Sequence, residues 1–248
     1  MTDADDLNTI LGKMFKQPAN MADYATRWDQ ERLAPYSAAV ARCKAMPESF
    51  EGIAKAYPWF PAASLPVITK SIQENDADFK ATIAKLKPSP FSSPIVVLMG
   101  TTGAGKTTSA LGMFLLYMRA WREHLIRQAQ QTLERAASGE AAPRVVKPLK
   151  AVFVAAKDLV DARRFSPLGR EPELLERAKS ASLLILDDIV GSRDTDQDLY
   201  QVVWSRDNFK LPTIITTAMN PAEMTASYSE MFTRRVFGGT SKLITRKP

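Results

Sequence analysis

The octet Gly100-Thr-Thr-Gly-Ala-Gly-Lys-Thr107, placed directly after the apolar run Ile95-Val-Val-Leu-Met99, restricts the fold of this chain more than any other stretch. It satisfies G-x-x-x-x-G-K-[ST], a pattern that works only where a buried strand stops, a loop bends tightly and a helix starts with its first N–H groups bare. Glycines let the backbone curl around anionic oxygens, Lys106 reaches the outer phosphates, and the Thr107 hydroxyl offers a hard oxygen to Mg²⁺. Gly100, Thr101, Thr102, Gly103, Ala104, Gly105, Lys106, Thr107 and Thr108 therefore form a candidate binding loop for a nucleoside triphosphate, with ATP and Mg²⁺ as the expected pair.

The 248 residues, 45% apolar and 24% charged, suffice for one good core plus a smaller accessory domain. No apolar run approaches the length needed to span a bilayer, and the start, Met1-Thr-Asp-Ala-Asp-Asp6, is acidic where a signal peptide would be basic. A cytoplasmic protein without membrane contact is expected. Cys43 is the only cysteine and His124 the only histidine, so the chain can form neither an internal disulfide nor a Cys/His zinc cluster. Any metal should arrive with the nucleotide. Up to Ser93 basic and acidic residues balance at eleven each, whereas from Pro94 onward twenty-two basic residues face sixteen acidic ones. The whole net charge of +6 thus sits with the phosphate loop, which suits either a polyanion partner or an ordinary solvated surface.

Lys87-Pro-Ser-Pro-Phe-Ser-Ser-Pro94 is too rich in proline for a helix interior and reads as a linker over 88–94. Before it, residues 22–46, 48–57 and 66–86 carry helical apolar spacing, with breaks expected at Pro35, Pro47, Pro58 and Pro61. A small all-α domain over 1–87 is expected. After it, over 95–248, apolar runs at 95–99, 151–155, 183–186 and 213–217, and a weaker one at 242–245, alternate with helical stretches. That alternation predicts an α/β fold with a parallel five-stranded sheet flanked by helices. The helix after the loop should be long, since 113–137 contains neither Gly nor Pro and Ser138-Gly139 marks its end, with a spacer over 139–148. Met113, Phe114, Met118 and Trp121 on it are expected in the core, while Arg119, Arg122 and Arg127 form a basic face.

Leu183-Leu-Ile-Leu-Asp187-Asp188 is an apolar strand ending in two carboxylates, and ligands of open α/β sheets sit beyond the carboxyl ends of the strands. Asp187 suits a Mg²⁺ ligand, with Thr107; Asp188 suits a group that orients or deprotonates the attacking water.

The order of the phosphate loop, Ala151-Val-Phe-Val-Ala-Ala-Lys-Asp-Leu159, the helical Glu171-Pro-Glu-Leu-Leu-Glu176, Ser182-Leu-Leu-Ile-Leu-Asp-Asp-Ile-Val-Gly191 and Leu211-Pro-Thr-Ile-Ile-Thr-Thr217 resembles the AAA+ ATPases of the DnaC/IstB type. These are loaders of replicative helicases and ATPase partners of transposases. The resemblance covers Ile95 to about Leu243 and implies a P-loop NTPase domain behind a helical partner-binding domain, without a C-terminal lid. It implies an ATP-hydrolysing DNA replication protein that oligomerises with ATP and loads a replicative helicase onto single-stranded DNA. Open alternatives are a transposition ATPase that binds duplex DNA and recruits a transposase, and a weakly hydrolysing nucleotide-switched adaptor.

Residue by residue, the family's sensor triplet Thr-Ser-Asn matches Thr216-Thr217-Ala218, so the Asn has become alanine. Either Thr217 or Asn220 takes over that contact, or Asn220 merely caps the helix that follows. Phe232-Thr-Arg-Arg-Val-Phe-Gly238 resembles the segment that presents an arginine finger to a neighbouring subunit. Arg235 fits best and Arg234 is the substitute, with a surface ion pair as the other reading. Arg206 matches a basic position at the same expected interface. Arg163, Arg164, Phe165 and Arg170 are the candidates for nucleic acid, the arginines for phosphates and the aromatic for stacking on a base.

Overall fold

The computed structural model of the chain describes residues 21–86, 95–139, 149–167, 169–191, 196–238 and 242–245. Those residues fall into two compact units, one of 21–46 with 124–139 and the other of 47–123 with the remainder.

In the first unit α1 (Met21–Lys44) passes through Pro35, where a break was expected. A proline removes one backbone N–H and crowds the preceding turn, yet the helix continues on both sides of it. Its buried face is Ala39, Val40 and Cys43; Leu125, Ala129, Thr132 and Ala136 repeat at helical spacing in the second part of this unit.

The second unit begins with α2 (Phe50–Ala56), started by Ser49, whose hydroxyl accepts the Gly52 N–H at 3.0 Å. The expected single stretch 66–86 is two helices, α3 (Leu65–Glu74) and α4 (Asp76–Leu86), because Asn75 turns the chain between them. Its side-chain amide donates to the Ser71 carbonyl at 2.8 Å, competing locally with the helical ladder. These helices share a core with the rest of the unit. Trp59 stacks on Phe153 with ring centroids 5.7 Å apart, and Tyr57 meets Phe114 edge-on at 5.1 Å. The Tyr57 hydroxyl donates to Met118 Sδ at 3.6 Å, and burial pushes it up to about 12. The boundary between the compact units therefore falls at Met46, inside the segment expected to be one helical domain, while the expected linker at 88–94 lies outside the described residues.

Then follow β1 (Ile95–Met99), α5 (Lys106–Ala137), β2 (Ala151–Ala155), α6 (Ala156–Arg164), α7 (Glu173–Ser180), β3 (Leu183–Ile189), α8 (Asp196–Asn208), β4 (Thr213–Thr217), α9 (Pro221–Ser227), α10 (Glu230–Phe237) and β5 (Lys242–Thr245). The spatial order is β2-β3-β4-β1-β5, every pair parallel. Four strands make the body of the sheet, and the short β5 adds an outer rung beside β1. All of β1 and β4 are buried, as helices on both faces of a parallel sheet demand. The connection leaving β1 runs to the β2 edge and the connection leaving β4 runs the other way, to β5. Where neighbouring strands send their connections in opposite directions, a crevice opens at their carboxyl ends.

α5 is as long as expected and stops where expected, since Gly139 takes φ +80° and donates to the Ala136 carbonyl. Near its start, Gly112 lets α3 and α4 approach closely: a Cβ there would lie 3.1 Å from Ile72 Cγ1 and 3.3 Å from Phe79 Cε2. Gly112→Val should therefore lower the unfolding free energy of the full chain by roughly 1–3 kcal/mol, read by denaturant titration. Wild-type stability in that variant would mean that the two helices yield freely.

Candidate functional site

The loop 100–105 takes the shape its glycines permit. Gly100, Gly103 and Gly105 have φ of +149°, +83° and +73°, conformations that side-chain-bearing residues rarely adopt. Thr101, Thr102 and Gly103 lie exposed at the rim and Ala104 is buried beneath it. α5 starts at Lys106, so its first N–H groups open toward the loop. The Lys106 ammonium donates to the carbonyls of Gly100 at 2.8 Å and Thr101 at 2.9 Å, which holds the charge over the loop.

Eighty residues downstream in sequence, Asp187 reaches the same place. Thr107 Oγ1 lies 2.9 Å from Asp187 Oδ1 and 3.2 Å from Oδ2. Asp187 is half-buried and Asp188 is exposed. The strand is irregular here: Leu186 pairs with Ile215 and Ile189 with Thr217, so Asp187 and Asp188 together oppose Thr216 alone. This is a β-bulge, and Asp188 takes its left-handed conformation at φ +56°. The bulge keeps the second carboxylate on the solvent side of the site.

Thr216 was not among the expected site residues. Its hydroxyl donates to Asp187 Oδ1 at 2.7 Å and accepts the Asp188 N–H at 2.8 Å. Thr217 is turned away: its hydroxyl donates to the Ile189 carbonyl at 2.6 Å and accepts the Met219 N–H at 3.1 Å. Asn220 caps α9, accepting the Glu223 N–H at 2.9 Å while Glu223 accepts the Asn220 N–H at 2.8 Å. The structure thus brings Lys106, Thr107, Asp187 and Asp188 together and leaves Thr217 and Asn220 with partners of their own. The available signal for Thr216 was a threonine inside a fully buried strand, because a buried hydroxyl must find a partner.

The donor set fits a hard divalent cation, a threonine hydroxyl and a carboxylate within hydrogen-bond distance of each other. Among the described residues no group of three or more His, Cys, Asp or Glu side chains could hold a metal by itself. Ligands from outside the chain, such as water or phosphate oxygens, would have to complete any such shell.

Arg235 forms an ion pair with Asp207 of α8, both side chains half-buried. Arg234, next to it, is exposed and makes no ion pair with any described residue. Arg206 is not at a surface. It is completely buried, and its guanidinium donates to Thr213 Oγ1 at 2.8 Å, Ala178 O at 2.8 Å, Ala181 O at 2.7 Å and Pro212 O at 2.5 Å. Burial pulls its pKa down to about 9, which leaves it cationic near neutral pH. It stitches the end of α7 to the start of β4, and the expected interface role falls away.

Arg163, Ser166, Pro167, Gly169, Arg170 and Glu171 line a separate cleft of about 260 Å³. Arg164 and Phe165 adjoin it on the exposed end of α6, Phe165 being 85% exposed. The cleft carries both signs, since Glu171 lines it together with the two arginines; outside it, Arg163 Nε lies 3.8 Å from Asp198, whose carboxyl is held above its ordinary value by burial, with Arg163 opposing. Of the basic residues on α5, Arg122 pairs with Glu48. Met113, Phe114 and Met118 are buried as expected, and Trp121 stacks on Tyr117.

No family model and no curated protein matches the sequence. Among solved structures the chain is similar to the DnaC helicase loader, at 16% identity and a TM-score of 0.50, covering 71% of this chain and 90% of that one. At this identity the likeness is one of fold alone, shared with the DnaC helicase loader. The chain is also similar to DnaI, at 16% identity and a TM-score of 0.49, covering 71% and 81%. A DNA replication initiation factor matches at 18% identity and a TM-score of 0.46, and the chain spans 46% of its length. Among the described residues no helix is long and apolar enough to cross a membrane.

The placement of Arg206 carries its own test. Arg206→Met keeps the bulk and removes the donors, leaving buried carbonyls unpaired, so it should destabilise the fold by about 3 kcal/mol or more. A melting point unchanged from wild type would show those carbonyls to be satisfied in another way.

Proposed function

We propose that the chain is an ATP-binding and ATP-hydrolysing AAA+ protein of DNA replication, which oligomerises with ATP and loads a replicative helicase onto single-stranded DNA. The observation that carries the nucleotide part is the meeting of Thr107 with Asp187 beside the glycine loop. In this reading the loop N–H groups and Lys106 bind the phosphates, and Lys106 exchanges the Gly100 and Thr101 carbonyls for phosphate oxygens. Thr107 and Asp187 would hold Mg²⁺, which when bound neutralises charge on the outer phosphates. Asp188, exposed on its bulge, accepts the proton of the attacking water or orients it.

Arg235 is the proposed finger toward a neighbouring copy, with Arg234 as its substitute. To serve in trans Arg235 must leave Asp207, so oligomerisation and hydrolysis would be linked through that ion pair. Single-stranded DNA is assigned to Arg163, Arg164, Phe165 and Arg170, where exposed guanidinium groups and an exposed ring adjoin one cleft. The helicase partner rests on the resemblance and on the fold shared with a helicase loader. Partner recognition is assigned to residues 1–87.

One observation favours a second reading, a nucleotide-switched adaptor that barely hydrolyses. Ala218 stands where the resemblance expects Asn, and neither Thr217 nor Asn220 turns toward the carboxylates.

Binding and turnover of Mg-ATP by Lys106→Ala and Asp188→Asn separate the two. Lys106→Ala should bind ATP at least about tenfold more weakly, and Asp188→Asn should bind normally yet turn over about a hundredfold more slowly. Wild-type affinity in Lys106→Ala would overturn the nucleotide site; equal near-zero rates in wild type and Asp188→Asn, with single-stranded DNA present, would establish the adaptor. For the nucleic acid assignment, replacing Arg163, Arg164 and Arg170 with Ala should weaken single-stranded DNA binding and flatten its salt dependence. A stronger effect on duplex than on single-stranded DNA would point to the transposition ATPase instead.

A further inference from the structure

We infer that Thr216 is a positioning residue for hydrolysis, acting through both carboxylates at once. The inference rests on the ATP-hydrolysis reading above and names the group that holds its acid pair in working geometry.

Three observations converge on this hydroxyl. The strand register sets Asp187 and Asp188 together against Thr216, so Thr216 is the one β4 residue opposite the bulge. Its single O–H points to Asp187 Oδ1 at 2.7 Å, the carboxylate that also meets Thr107. The same oxygen accepts the Asp188 N–H at 2.8 Å, at the residue whose φ is +56°. That conformation is uncommon for a residue with a side chain and persists only where neighbours hold it. Thr216 is 1% exposed, so water does not substitute for either bond.

The hydrogen-bond capacity of a hydroxyl decides the type of role. Thr216 has one proton to give and gives it to Asp187, and it uses a lone pair on the Asp188 amide. With its donor spent, it has none to offer a phosphate or an attacking water. Its influence passes through the two aspartates. Without the hydroxyl, Asp187 loses one of the two O–H groups that orient it and the Asp188 amide loses its partner. The bulge is then free to relax, and the Asp188 carboxylate no longer stands in a fixed place. The phosphate loop and Lys106 make no bond to Thr216, so nucleotide affinity should survive.

The test is the steady-state ATPase of the 248-residue chain with Mg²⁺ and single-stranded DNA. Thr216→Val removes the hydroxyl at nearly constant shape and should lower kcat at least about tenfold with KM for ATP within about threefold of wild type. Thr216→Ser, which keeps the hydroxyl, should recover most of the rate. Thr216→Ala, which adds no bulk, covers the case in which valine fails to fold and should show the same split. The Thr216→Val/Asp188→Asn double variant should lose clearly less than the product of the two single losses, because part of the first change acts through the second group and only the part carried by Asp187 remains. A purely structural threonine would instead give multiplying losses.

Normal turnover in Thr216→Val and Thr216→Ala, or multiplying losses in the double variant, would overturn this inference while hydrolysis itself stands. A wild-type protein that turns over no ATP fails the hydrolysis reading and takes the inference with it.

Discussion

A single carboxylate ties the site together. Asp187 receives one hydroxyl from the start of α5 and another from β4, so the phosphate loop, the third strand and the fourth strand meet on two oxygens. A half-buried carboxylate is costly unless hydrogen-bonded, and these O–H groups meet that cost while fixing where the oxygens point. The arrangement also fixes distance between elements. β1 lies beside β4, β4 beside β3, and the register of those pairs sets Thr216 against the bulge and the loop end against both. A slip of one residue in either pair would turn Thr216 to the other face of the sheet and leave Asp187 without its second donor.

The rest of the second unit supports that register from behind. Gly112 brings α3 and α4 onto the helix that begins at Lys106, and Trp59 stacks across to Phe153 on β2. Helices α3 and α4 are therefore part of the scaffold that holds the start of α5, beside any role in recognition. Arg206 works at the other end of β4, where four donors gather the end of α7 and the loop entering the strand. A cation takes this place because several carbonyls converge there and only a guanidinium forks widely enough to reach them all. Each of the polar residues in β4 has a defined partner, Thr213 on Arg206, Thr216 on the aspartates and Thr217 on Ile189. The strand is thus buried without orphaned hydroxyls.

Much of the fold was legible because its signals are local. The glycine loop, the apolar runs and the twin aspartates are contiguous residues whose chemistry hardly depends on distant neighbours. The split at Asn75 and the passage of α1 through Pro35 were not: an asparagine can either continue a helix or bond its own backbone, as it does here to Ser71, and a proline disfavours a helix interior without forbidding it. Within the site, Thr217 matched the motif position while Thr216 holds the contacts. Adjacent residues in a strand face opposite sides, and nothing in the string Thr216-Thr217 tells which side meets the acids. Arg206 and Arg235 show the same limit: a basic residue in sequence is a charge without an address, and burial or an ion pair with Asp207 supplies the address.

By itself the sequence determined that a strand, a phosphate-shaped loop and a long helix follow one another at Ile95–Ala137, and that an apolar strand ends in two carboxylates at Asp187 and Asp188. Backbone freedom at glycine, the reach of lysine and the burial of apolar runs act within a few residues, so they can be read along the chain. Only the tertiary structure decided that Thr107 and Asp187 touch, that Thr216 rather than its neighbour joins the acids, and that Arg206 lies in the core. Those outcomes depend on strand order and register, which set residues 29 and 80 positions apart within hydrogen-bonding distance and are fixed by packing of the whole sheet.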